Sequence, residues 1–150
     1  MYVDGMILSF TGYGGGAWLC RLKDGGRSAE LVWHNSDMDN QMGGVIKVGD
    51  YLYTAGHQNR SWLCVDWNTG ETVYKVNELA PANVIYADGM IYVYSERGAM
   101  SLVKPNPGKF ELVSSFNVTM GTDQHWAHPV IHNGVLYIRH GNTLMAYKVK

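Results

Sequence analysis

The side chains with the greatest capacity for chemistry lie between the strand-like runs of this sequence. They include five of the six histidines, three arginines and a tryptophan. Imidazoles bind first-row transition metals, and a polar pocket with aromatic walls suits an anionic or carbohydrate-like ligand. The same side chains could instead satisfy loop backbone groups and solvent. The candidate ligand-binding residues are His34, Asp39, Asn40, His57, Arg60, Arg97, His125, Trp126, His128, Arg139 and His140.

Other chemical motifs in the sequence are weaker. Residues 37–40, Asp-Met-Asp-Asn, offer oxygen ligands to calcium but lack the glycine and the terminal glutamate of an EF-hand loop. Residues 14–16 are three glycines, yet no helical pattern follows them to supply the dipole of a phosphate site. No local sequence sets a catalytic nucleophile apart. We therefore predict no metal site and no catalytic residue.

The composition excludes several classes of protein. The 150 residues are 46% hydrophobic and 12% aromatic, enough for a packed core and unlike a disordered or collagen-like chain. The formal charge of -1 predicts no nucleic-acid partner, because phosphate backbones are bound by a basic surface. No apolar run approaches the roughly 20 residues of a membrane helix, and the first residues lack the basic and apolar regions of a signal peptide.

The elements that position these residues belong to an internal repeat. A pattern of an apolar residue, a turn pair of Gly, Asp or Asn, and alternating apolar residues occurs four times, starting at Val3, Val48, Ala87 and His132. A second apolar element starts at Trp18, Trp62, Met100 and Leu144, which are 44, 38 and 44 residues apart. Such a period is typical of a β-propeller blade, whose familiar forms, such as WD-like repeats, span about 40 to 45 residues.

Each full repeat is predicted to form four strands, because apolar residues alternate and hydrophobic runs end at Asp-Gly or Asn-Gly turns. The fold class is therefore all-β, a partial β-propeller of four-stranded antiparallel blades in an incomplete ring. The predicted blade units are residues 1–42, 43–81, 82–126 and 127–150, with three, four, four and three strands. An open arc leaves unpaired edges. We expect the remainder of the propeller or a second copy of the chain to cover them.

The stretch Leu63–Tyr74 carries Asp66, Thr69 and Gly70 at the spacing of a known blade signature. It resembles the pyrroloquinoline-quinone-like propellers, with Tyr74 where that family usually has tryptophan. The first unit delays its aromatic residue to Trp33. Residues 32–35, the Asp39-Asn40 pair with Gly43-Gly44, and residues 126–129 ahead of 136–139 are similar to the C-terminal part of bacterial cell-envelope propellers.

The resemblance implies a fold more strongly than a function. Enzymes of that family use a quinone with bound calcium, a catalytic aspartate and often a disulfide between adjacent cysteines, whereas Cys20 and Cys64 are 44 residues apart. We predict two buried strand cysteines at equivalent positions, with a disulfide between blades as the alternative.

The resemblance further implies a non-catalytic module that binds a protein or small ligand without a cofactor, as some envelope propellers act as scaffolds in outer-membrane protein assembly. It also implies a periplasmic or cell-surface location. Two alternatives remain open. One is a fragment of a quinone-dependent dehydrogenase, with pyrroloquinoline quinone and calcium. The other is a carbohydrate-binding propeller.

The turns predict where binding occurs. In an up-and-down blade, the first and third turns lie on one face of the propeller, and the second loop and the connection to the next blade lie on the other. The first set is short throughout. The second set contains residues 11–16, 34–42, 57–61, 96–98 and 117–127. We call their side the long-loop face, and binding residues concentrate on such loops.

Overall fold

The computed structural model describes residues 1–42, 44–79 and 81–149, which form four antiparallel sheets of consecutive strands. The strands of the first sheet are β1 (Tyr2–Val3), β2 (Met6–Thr11), β3 (Gly16–Lys23) and β4 (Ser28–Asn35). Those of the second are β5 (Val45–Val48), β6 (Tyr51–Ala55), β7 (Trp62–Asp66) and β8 (Thr72–Val76). Gly43, which contributed to the resemblance, lies outside the described residues.

The third and fourth sheets follow the same meander. The third contains β9 (Ala82–Ala87), β10 (Met90–Ser95), β11 (Ala99–Val103) and β12 (Leu112–Asn117). The fourth contains β13 (Val130–His132), β14 (Val135–His140) and β15 (Thr143–Lys148). Among the described residues, no helix is long and apolar enough to cross a membrane. The exact limits of the predicted blade units stay a prediction.

The first sheet has one more strand than the three that we predicted. Val3 pairs with Met6 and Tyr2 with Ile7 across a two-residue turn. The turn residues Asp4 and Gly5 both have positive φ, 46° and 79°, which is the geometry that Asp-Gly favours in tight hairpins. The two-residue strand β1 was missed because so short a segment has no alternation to detect.

Apolar layers fill the spaces between successive sheets. On β6, Leu52 joins the first layer and Tyr53 the second, because neighbouring side chains on a strand point to opposite faces. Strand β9 contacts both β5 and β6 of the preceding sheet. Sheets stacked in this way are consecutive blades, so the predicted partial β-propeller is confirmed. The fully buried large side chains include Leu8, Leu19, Leu63, Val65, Trp62, Ile91, Tyr94, Leu136 and Ile138.

Trp33 fastens the first sheet to the second. Its ring packs against Gly70, where an added Cβ would lie 2.5 Å from Trp33 Cδ2. Its Nε1 donates a hydrogen bond of 2.8 Å to the Trp67 carbonyl. Trp33 pairs with Leu19 as Tyr74 pairs with Cys64. The delayed aromatic residue of the first unit thus takes the same place on its fourth strand as Tyr74 does in the second.

The two cysteines are not structurally equivalent, contrary to the prediction. Cys64 pairs with Tyr53, and the corresponding pair in the first sheet is Leu19 with Leu8. Cys20 is therefore shifted by one position, and a shift of one residue turns a side chain to the other face of the sheet. Cys64 is buried between the second and third sheets, whereas Cys20 is only half-buried. Both are free thiols.

Candidate functional site

Asp39 ties together two loops of the long-loop face. The residue is only 2% exposed. Its Oδ1 accepts a 2.7 Å hydrogen bond from the Gly14 amide and its Oδ2 one of the same length from the Gln58 amide. Its carbonyl accepts another from the His57 amide. The carboxylate thus holds residues 12–15 and 56–61 side by side, and both of its oxygens have partners within the chain.

The neighbours of Asp39 also bind the protein itself. Asn40 is buried, and its Nδ2 donates to Thr54 Oγ1 at 2.8 Å and to the Gly44 carbonyl at 3.2 Å. Asp37 accepts hydrogen bonds from Lys75 Nζ and Thr72 Oγ1 at 2.9 and 3.0 Å. The Lys75 contact holds the pKa of Asp37 below its usual range. The polar side chains of residues 37–40 therefore support the long-loop face from within the protein.

His125 in the β12–β13 connection stacks on His140 of β14. Their ring centroids are 3.6 Å apart at an interplanar angle of 18°. The two ring nitrogens of His140 each lie 2.8 Å from a carbonyl oxygen, of Met120 and of Asp123. Carbonyls only accept hydrogen bonds, so a ring nitrogen of His140 that carries a hydrogen can donate to the carbonyl beside it. His140 thereby fixes the chain on either side of residues 121 and 122.

Tyr94 completes this cluster from the third sheet. Its hydroxyl lies 2.5 Å from His125 Nδ1. Burial, and to a smaller extent the neighbouring His140, lowers the pKa of His125. Burial also raises the pKa of Tyr94 to about 12, with a smaller contribution from Tyr147. A neutral His125 that accepts a hydrogen bond from the Tyr94 hydroxyl is consistent with both shifts. This hydrogen bond ties the loop that carries Trp126 to the third sheet.

Trp126 is an exposed candidate, with 58% of its surface accessible. Its backbone is held firmly, since its carbonyl accepts a 2.9 Å hydrogen bond from Asn83 Nδ2. The His128 ring lies 3.1 Å from the Met42 carbonyl and joins the same loop to the β4–β5 connection. A large apolar side chain is thus exposed from a fixed backbone.

Two hollows flank the Trp126 side chain. One, of about 300 Å³, is lined by Gln41, Met42 and Glu96. The other, of about 410 Å³, is lined by Asp123, Gln124, Ala127, Arg139 and Gly141. We call Trp126 and these two hollows the Trp126 site. Sequence reasoning found Trp126 and Arg139 but missed Glu96 and Gln124, because nothing in their local pattern distinguishes them from solvent-exposed loop residues.

The remaining candidates lie elsewhere. Arg60 and Arg97 line a separate hollow of the long-loop face. His57 packs edge-on to Tyr13 at 5.3 Å, and its Nδ1 is buried without a partner among the described residues. His34 is exposed on the outer side of the first sheet, with its ring 4.9 Å from that of Trp18. The structure therefore divides the predicted set among several places.

The described residues do not fit a metal-dependent quinone site. No group of three or more His, Cys, Asp or Glu side chains in the described parts of the chain converges on a point where it could hold a metal ion. The most suitable sequence motif, residues 37–40, directs its carboxylates to backbone amides, Thr72 and Lys75.

No protein-family profile matches the chain, and no curated protein matches it either. Comparison with solved structures does find clear similarity. BamB from Moraxella catarrhalis superimposes with a TM-score of 0.65 at 13% identity, over 97% of this chain and 40% of that one. A europium-containing methanol dehydrogenase gives a TM-score of 0.68 at 9% identity, over 98% and 38%.

The chain has the fold of a pyrroloquinoline-quinone-like β-propeller. It spans about two fifths of the length of both solved structures. The resemblance found on the Leu63–Tyr74 signature is thereby confirmed. Because both identities are low, the similarity extends to the fold of this partial propeller and not to an activity.

Proposed function

We propose that this chain is a non-catalytic propeller module that recognises a protein or a small ligand through its long-loop face, with the Trp126 site at the centre. The observation that carries the proposal is the 58% exposure of Trp126 on a backbone fixed by Asn83. Tryptophan is enriched among the residues that dominate binding energies. A preorganised site loses little conformational entropy on binding.

The direct test is site-specific photocrosslinking of the full chain in the cells that produce it. A photoreactive residue at position 126 should give discrete adducts. The matched control is the same residue at position 109, because Lys109 is exposed on the opposite, short-turn face. Identical products from both positions, or none from position 126, would contradict the proposal.

A carbohydrate is an alternative ligand for the Trp126 site. The exposed indole offers a flat apolar surface, and the polar groups of Gln124 and Arg139 line the adjoining hollow. This combination of one aromatic surface and a few polar groups is typical of small-ligand sites. A glycan array should then give hits that disappear in Trp126→Ala, and an array without hits excludes this alternative.

The dehydrogenase alternative and the envelope location need separate tests. If the chain belongs to a quinone-dependent enzyme, adding pyrroloquinoline quinone and calcium should shift the chromophore spectrum or support dye reduction. The expected result for a binding module is no change. Fractionation of the source cells tests the periplasmic or cell-surface location that the sequence resemblance implies.

The outer sides of the first and last sheets support a further part of the proposal, that another chain segment or a second copy covers them. Tyr2 and Leu31 of the first sheet are 67% and 57% exposed, and Leu144 of the fourth is 70% exposed. Exposed apolar faces and open sheet edges favour association. Light scattering of the chain in solution should therefore give a mass above 16.7 kDa, and a dispersed monomer would contradict self-association.

A further inference from the structure

Arg60 has an unusual backbone conformation. Its φ is 49°, one of seven positive values at non-glycine residues among those described. Five of the seven are aspartate or asparagine, which tolerate this region, and the other two are Tyr13 and Arg60. A long side chain in this conformation costs free energy, and such residues cluster at binding sites.

The surrounding loop keeps Arg60 in this conformation. The Asn59 side chain accepts a 3.1 Å hydrogen bond from the Ser61 amide and donates one of 2.8 Å to the Asp37 carbonyl. Ser61 Oγ lies 2.9 Å from Asn77 Oδ1. Hydrogen bonds on both sides of Arg60 therefore offset its backbone strain and fix the direction in which its side chain leaves the loop.

Arg97 lines the same hollow as Arg60. Its turn is closed by a 2.9 Å hydrogen bond from the Gly98 amide to the Ser95 carbonyl and anchored by another of 2.9 Å from the Glu96 amide to the Pro81 carbonyl. The hollow measures about 370 Å³. Its other lining residues are Gln58, Asn59, Asn77, Glu78 and Leu79.

Among the described residues, neither guanidinium group makes an ion pair or a hydrogen bond. A guanidinium group has five donors in a planar fork that matches carboxylate and phosphate oxygens. Two such groups together with amide side chains supply many donors, while Glu78 limits the positive charge. We propose that Arg60 and Arg97 form a second binding site, separate from the Trp126 site, for a carboxylate or phosphate group on a small polar ligand.

The test is calorimetric titration of the full chain at low ionic strength with two probes, inorganic phosphate and succinate. We expect saturable binding of at least one probe, weakened by 0.5 M salt because the interaction is ionic. Phosphate binding alone indicates a phosphate ligand, and succinate binding alone a carboxylate. Arg60→Gln and Arg97→Gln should each weaken binding about tenfold or more.

Three further variants make the result specific. Arg27→Gln removes an exposed arginine from the turn after β3, and Trp126→Ala removes the other site. Both should bind the probe as the unchanged chain does. Arg60→Gly retains the positive φ without strain, so it should unfold at the same or a higher temperature while losing binding.

Three results would overturn the proposal: no saturable binding of either probe, binding that survives loss of both arginines, or an equal loss in Arg27→Gln. None of these results bears on Trp126, so this site and the proposed function can fail separately.

Discussion

The contact between Trp33 and Gly70 predicts a large effect of adding one methyl group. In Gly70→Ala the new Cβ would lie 2.5 Å from Trp33 Cδ2, closer than carbon atoms approach without rearrangement. Gly70 also has a φ of 75°, so alanine incurs backbone strain of about 1–2 kcal/mol. Overpacking of the ring adds about 1–3 kcal/mol. We expect the free energy of unfolding to fall by about 2–5 kcal/mol.

Gly89→Ala separates the two contributions. Gly89 has a φ of 78°, close to that of Gly70, but an added Cβ there would have no atom within 4 Å. This variant should lose only the backbone contribution of about 1–2 kcal/mol. Urea denaturation with an unchanged slope measures both values. If Gly70→Ala and Gly89→Ala lose equal stability, the packing of the Trp33 ring does not require a close approach to Gly70. The proposed link between the first two sheets would then be wrong.

Three other predictions follow from buried polar groups. Asp39→Ala should cost about 2–4 kcal/mol, because two backbone amides lose a charged acceptor. Hydrogen exchange should accelerate in residues 12–15 and 56–61, while Asp50→Ala, at an exposed turn residue without positive φ, should change neither stability nor exchange. Unchanged exchange in Asp39→Ala would contradict this role. The pKa of His125 is lowered in the folded chain, so protonation favours the unfolded chain, and stability that is present above pH 6.5 is lost as the pH falls below that value. Between pH 7.5 and pH 5.5, the free energy of unfolding should therefore fall more for the unchanged chain than for His125→Phe. Equal decreases in the two proteins would refute this role of His125. Burial raises the pKa of Cys64 to about 11, so iodoacetamide should modify half-buried Cys20 first. Mass spectrometry of peptides measures the two rates. Faster modification of Cys64 would contradict the placement of the two cysteines on different faces of their sheets.

Period and turn chemistry were sufficient to predict the blades. The pairs Asp88-Gly89 and Asn133-Gly134 have positive φ at both residues and close two-residue hairpins, as their sequence indicates. Strand register was harder to predict. The repeated Trp-Leu-Cys triplets suggested equivalent positions, but pairing with β2 and β6 sets the register and places Cys20 on the outer side of its sheet. A sequence repeat leaves the strand register uncertain by one residue, and a shift of one residue turns a side chain to the other face of the sheet.

The candidate site was predictable in position but not in role. The pattern placed Asp39, His140 and Trp126 on or beside one face, yet only Trp126 is exposed there. Whether a polar side chain meets solvent or another loop depends on contacts between residues far apart in sequence. Asp39 reaches a residue 25 positions before it and another 19 positions after it. No local pattern contains that information.

Tyr13 and Arg60, the described residues of the long-loop face other than Gly, Asp and Asn that have a positive φ, depend on the same buried carboxylate. Tyr13 has a φ of 60° and precedes Gly14, whose amide binds Asp39 Oδ1, while Arg60 follows Gln58, whose amide binds Asp39 Oδ2. Each positive φ costs about 1–2 kcal/mol, comparable with one charge-assisted hydrogen bond of about 1.5–3 kcal/mol. Asp39 thus helps to offset the strain of both residues. This single buried side chain links the binding site proposed at Arg60 and Arg97 to the neighbouring loop of residues 12–15. Loss of anion binding in Asp39→Ala, with both arginines present, would be the signature of that link.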